Sequence, residues 1–131
     1  MSPDVLAAAY LKQYRTGADE DSWAFEEVLE VCGELQAGLA LTLRLLELAA
    51  DDTELAYVAA GPVEDLLKWH GKAAAAAFEK AAAQSEKVRR ALSAVWLNQG
   101  HEAFAQWKRL MDMYYPGEFN WRSAGSRRTE P

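Results

Sequence analysis

Leu55–Gly71, which reads LAYVAAGPVEDLLKWHG, limits this chain more than any other stretch. Gly61-Pro62 stands between two apolar helical runs. Glycine is the usual residue just past a helix end, because it reaches positive φ at little cost. Proline is favoured at the first position of a helix, where its missing N–H would have had no partner. The pair therefore predicts a hard joint: helix, sharp turn, helix. Glu64 and Asp65 then fall in the first turn of the second helix, where the dipole favours carboxylates. His70 and Gly71 fall at its end, where a cation and a left-handed stop are favoured.

The rest of the chain is as helical in its pattern. Ala, Leu, Glu, Lys and Arg dominate and only four prolines occur, so the fold class is all-α. With 131 residues, one domain is expected, large enough to bury a core without disulfides or metals. That domain spans 1–122, and residues 123–131 read as a short polar tail. Cys32, the single cysteine, lies on an apolar helical face and reads as a small core residue. A lone thiol fits a reducing compartment. MSPDVLAAAY has no basic region ahead of its apolar residues, so no signal peptide is expected. Leu39–Ala50 is broken by Thr42, Arg44 and Glu47 and is no membrane span. A cytoplasmic protein is the expectation. Net charge is −6, but residues 1–66 carry 14 Asp/Glu against 3 Lys/Arg, and residues 67–131 carry 6 against 11. The halves are therefore −11 and +5. Such asymmetry steers a partner or lets two copies meet, although exposed helix faces are ordinarily charged in any case.

Apolar spacing predicts about seven or eight short helices, as a compact array or a short α-α superhelix. Pro3 to Thr16 is the first, with Leu6, Tyr10 and Tyr14 on one line. Asp21 or Ser22 is expected to cap the second, whose stripe is Phe25, Val28, Leu29 and Cys32. Glu26, Glu27, Glu30 and Glu34 lie off that stripe as the most acidic surface of the chain. Gly38–Ala50 carries leucines all round and is expected to pack on several sides. Asp51-Asp52-Thr53 closes it and caps the next helix. Alanines 73–77 permit close helix approach, with Phe78 as a single large knob. Ser85 caps a helix with the stripe Val88, Ala91, Leu92, Val95 and Trp96, from which Lys87, Arg89 and Arg90 face away. His101–Tyr115 is the last helix, stopped by Pro116-Gly117, with Phe119 and Trp121 folding back.

Leu55–Trp96 resembles an uncharacterised bacterial all-helical domain family of unknown function with the pattern AGP-x-EDLL…G…R-x-x-L…VW. The matching residues are Ala60, Gly61, Pro62, Glu64, Asp65, Leu66, Leu67, Gly71, Ala81, Arg89 or Arg90, Leu92, Val95 and Trp96. The Trp23 segment is also similar, and the resemblance covers some 75 residues. It implies an all-helical fold and no defined activity. The alanine run at 73–77 departs from it, where bulkier apolar residues are expected.

Glu64, Asp65 and His70 form the one cluster worth testing as a site. Glu64 and His70 do not share a helix face well. The bland reading has Glu64 bonding backbone N–H groups at the helix start, Asp65 complementing the dipole or an Arg, and His70 closing the helix. No HExxH, Cys/His quartet, G-x-S-x-G or phosphate loop is present, so no catalytic residue, metal or cofactor is assigned. Lys87, Arg89, Arg90, Lys108 and Arg109 form a basic patch, but the chain is acidic and lacks an aromatic platform interleaved with it. Nucleic acid is not the expected partner, nor is a membrane. The leading reading is a non-catalytic helical protein-interaction domain, immunity- or adaptor-like. Its partner is another protein, or a second copy, met at Glu26, Glu27, Glu30 and Glu34. The alternative is a small-ligand or hydrolytic site on Glu64, Asp65 and His70, with Gly61 and Pro62 holding the motif.

Overall fold

A computed structural model describes residues 2–119. It is all-α, with no strand among the described residues. Seven α-helices follow in order: α1 Pro3–Thr16, α2 Trp23–Val31, α3 Leu35–Leu48, α4 Asp52–Val58, α5 Glu64–Ala82, α6 Glu86–Ser93 and α7 Phe104–Tyr114. A 3-10 turn, Asp19–Asp21, leads into α2, and a π turn, Ala59–Val63, joins α4 to α5. The expected boundary near residue 122, the tail and Trp121 lie outside the described residues.

The array is built around α3, which packs against α1, α2, α4, α5 and α6. Its leucines go inward on several sides: Leu41, Leu45 and Leu46 are buried and Leu39 nearly so. α5 runs beside it, with Leu66, Leu67, Ala74, Ala75 and Phe78 in the core. Local signals place most of the helix ends. Gly17 is left-handed (φ 68°) and closes α1 through its N–H to Gln13 O. Asp51 Oδ1 accepts the Glu54 N–H at 2.9 Å, and Ser85 Oγ accepts that of Val88 at 3.2 Å. Phe119 does fold back, meeting Trp107 edge-on at 5.6 Å.

The joint differs from the expected sharp turn. The chain passes from α4 to α5 without leaving helical geometry, and Pro62 lies inside the π turn. The Glu64 N–H reaches Ala59 O, five residues back. Proline breaks an α-helix because it lacks a donor and its ring meets the carbonyl four residues earlier. Widening the turn by one residue accommodates both defects. Gly61 does not take positive φ either. A Cβ built there would stand 2.9 Å from Tyr10 Oη, so glycine serves close approach, not a left-handed stop. The left-handed break comes at Gly71, φ 54° and ψ −126°, where α5 kinks and resumes at once.

α2 also departs from expectation. Neither Asp21 nor Ser22 makes a side-chain cap, because the 3-10 turn delivers the chain to α2 already wound. The inward line is Ala24, Val28 and Cys32, at steps of four. Phe25 is 48% exposed on its shoulder. Similarly, α6 ends at Ser93, so Trp96 leaves the predicted stripe and is 37% exposed.

Candidate functional site

The three titratable residues of the joint point to three different places. Glu64 is buried, and its Oε2 accepts the Trp96 main-chain N–H at 2.8 Å while Oε1 stands 3.7 Å from Lys68 Nζ. It ties the start of α5 to the segment after α6 instead of bonding its own helix start. The His70 ring serves the main chain: Nε2–H donates to the Cys32 carbonyl at 2.9 Å, satisfying the end of α2. Asp65 alone is uncommitted. It is half-buried and makes no hydrogen bond or ion pair among the described residues. Burial raises its carboxyl above the usual range, with Lys68 opposing.

Asp65 shares its surroundings with groups that linear sequence does not connect. Tyr10 comes from α1, Tyr57 from α4 and Cys32 from the end of α2. Burial drives the Tyr10 hydroxyl far up, and Tyr57, Asp65 and Cys32 add to the shift. Burial likewise pushes the Cys32 thiol up to about 11, so it is a core group and not a nucleophile. The rings continue outward. Tyr57 lies 5.2 Å from Tyr10 and 4.1 Å from Tyr14, and Phe25 stacks on Tyr10 at 6.5 Å. An aromatic seam thus runs from the π turn across α1 to α2. Among these rings, sequence signalled only the alignment of Tyr10 and Tyr14 on α1.

At its outer end the seam meets an open groove of about 460 Å³ lined by Gln13, Ser22, Trp23, Phe25 and Glu26. Trp23 is 41% exposed. Glu26 and Glu30 are exposed beside these rings and Glu27 is half-buried. None of the three makes an ion pair among the described residues. Glu34 separates from them, because its carboxylate caps α3 by accepting the N–H groups of Gln36 and Ala37 at 3.2 and 2.6 Å.

The basic residues of the second half are mostly spoken for. Lys87 donates to the carbonyls of Glu47 and Ala49, at 2.7 and 2.9 Å, closing the end of α3. Arg89 donates to Ala82 O at 2.8 Å and lies 5.2 Å over the Tyr114 ring. Arg90 pairs with Asp52 and Glu86, Lys108 with Asp112, and Arg109 with Glu79. The expected basic patch is therefore an internal network. His101, which shows no partner in sequence, accepts the Ala103 N–H on Nδ1 at 3.0 Å. Trp107 is buried and donates to Leu92 O, whereas Trp69 is 51% exposed. Among the described residues, no group of three or more His, Cys, Asp or Glu is placed to hold a metal ion, and no helix is long and apolar enough to cross a membrane.

A family model described as "Family of unknown function (DUF6869)" matches residues 12–115, a span that contains both the π joint and the α2 face. No curated protein and no solved structure matches the chain.

Proposed function

For a chain that belongs to this family of unknown function, we propose the role of a small non-catalytic protein-interaction domain, adaptor- or immunity-like, with α2 as its binding face. One observation carries the reading: Trp23 and Phe25 stand exposed around a groove that Glu26 also lines, with the unpaired carboxylates of Glu27 and Glu30 on the same helix. Large aromatic side chains are the usual anchors of interfaces, and a charged rim selects the sign of the partner. The matching partner is a protein surface with an apolar centre and flanking Lys or Arg. The reading includes a cytoplasmic setting, supported by the lone buried thiol of Cys32.

A photo-crosslinking phenylalanine analogue at Phe25, expressed in the source cells, tests this. A discrete protein adduct is expected, lost when Glu26 and Glu30 are replaced by Lys. Labelling no different from that of the same probe at Met113, an exposed position on α7, would defeat the reading. A second reading, a small-ligand or hydrolytic site at the joint, draws on Asp65, a half-buried carboxylate without a donor beside a π turn. It is the weaker of the two, since Glu64 and His70 already serve main-chain groups.

A further inference from the structure

Among the described residues, charge pairing leaves a basic face on α5 and an acidic face on α2. Of the described lysines and arginines, all except Lys72 and Lys80 hold a carboxylate or a main-chain carbonyl of the chain itself. These two stand on the second half of α5 at i and i+8, on one helix face and about 12 Å apart. Ala73 and Ala76 are exposed between them, so the face is low and basic. The acidic face lies on α2, at Glu26, Glu27 and Glu30, beside the exposed rings of Trp23 and Phe25.

We propose that these two faces meet between copies: the Lys72–Lys80 face of one chain docks on the α2 face of a second. The inference rests on the α2 reading above and names one occupant for it. The chemistry is complementary in both parts. Alanine methyls can lie against aromatic rings, while the long lysine stems carry their ammonium groups to the carboxylates at the rim. The charge of the whole chain is arranged the same way, with α2 in the −11 half and Lys72 and Lys80 in the +5 half. One molecule does not satisfy itself, because neither Lys72 nor Lys80 pairs with an α2 carboxylate of its own chain. The two faces are different surfaces, so the contact is head to tail and each added copy offers a new free face. Exposed ion pairs contribute little each and are screened by salt, so the association is weak and salt-sensitive.

Sedimentation equilibrium of the full chain tests this with two variants, Glu26→Lys/Glu30→Lys and Lys72→Glu/Lys80→Glu. At about 0.02 M salt the wild-type mass should exceed 14.5 kDa and rise with concentration, and at about 0.5 M salt it should return to 14.5 kDa. Each variant alone should stay at 14.5 kDa in low salt. An equal mixture should associate again at low salt, because the native pair of faces and the charge-reversed pair are both complementary between the two variants. That recovery requires both variants to be folded, so misfolding cannot imitate it. A monomeric wild type at low salt, association of either variant alone, or a mixture that stays monomeric would each overturn the proposal. If the wild type is monomeric while the Phe25 probe still captures a different protein, self-association fails and the interaction reading stands.

Discussion

Replacing Gly61 by alanine separates two reasons for a glycine at the joint. In an ordinary helix interior the change is favourable by about 1 kcal/mol, because alanine loses less backbone freedom. Here the added Cβ would lie 2.9 Å from Tyr10 Oη. A flexible side chain could swing aside, but Tyr10 is 2% exposed and its ring is held between Phe25 and Tyr57. Overpacking of this kind costs about 1–3 kcal/mol. Set against the propensity gain, Gly61→Ala should destabilise the wild type by about 0–2 kcal/mol. Tyr10→Phe removes the oxygen and keeps the ring. In that background the same substitution should be neutral or stabilising by up to about 1 kcal/mol. Urea unfolding followed by circular dichroism measures all four corners of the cycle, with a coupling of about 1–3 kcal/mol expected. An equal effect of Gly61→Ala in both backgrounds would refute clearance as the reason for glycine.

Arg15 grips Glu54 with Nε to Oε2 at 2.6 Å and Nη2 to Oε1 at 2.7 Å, and the Ala50 N–H adds 2.8 Å, so the carboxyl is lowered to about 2. Linkage from an ordinary 4.5 puts this near 3 kcal/mol, and the 44% exposure of Arg15 reduces it to about 2 kcal/mol. Because the folded value is depressed, that stability is complete above pH 4.5 and is lost as pH falls toward 2. Glu54→Gln should thus cost about 2 kcal/mol at pH 7 and progressively less below pH 4.5, and a gap that ignores pH in urea titrations would contradict the pairing. Asp65→Asn should raise the melting temperature at pH 7, since burial raises the folded carboxyl and its penalty grows as pH climbs past the ordinary Asp range. A lower melting temperature would point to donors that the geometry lacks. Gly71→Ala should cost about 1–3 kcal/mol, and Gly71→Asn no less, because ψ −126° lies outside the left-handed helical well that asparagine tolerates. Chemical denaturation of both variants reads this directly, and tolerance of either would argue against the kink.

Features written in adjacent residues were legible before the fold was known. Asp51 and Ser85 each act three residues from their partners, and the turn of chain around each identifies them. The leucines of α3 announce a central helix because no surface position tolerates that many. Pro62 misleads because a proline at a helix start and one inside a π turn present the same neighbours in sequence. Glu64 and Trp96 are 32 residues apart, and Lys87 and Glu47 are 40, so their bonds have no trace in spacing. The acidic face was legible at Glu26, Glu27 and Glu30, whereas Glu34 is a cap that resembles its neighbours in composition alone. Spacing with Val28, Leu29 and Cys32 at i, i+3, i+4 and i+7 points Phe25 inward. In the structure Ala24 takes the inward place, and Phe25 is 48% exposed.

The two irregularities around α5 are connected by arithmetic. Leu55, Ala59, Val63, Leu67, Gly71 and Ala75 are all buried, an unbroken repeat of four over twenty residues. An ideal α-helix overshoots by roughly 40° at every step of four, so such a line would wind to the opposite side of the cylinder by its end. The π turn at Ala59–Val63 and the kink at Gly71 reset the phase twice and keep the line facing inward. Length is therefore guarded more strictly than identity here. Deleting one residue between Ala59 and Val63 would rotate everything beyond it by roughly 100°, carrying Lys68 into the buried place of Leu67. Substitutions in this stretch change a contact, whereas an insertion or deletion would exchange the inside of the helix for its outside.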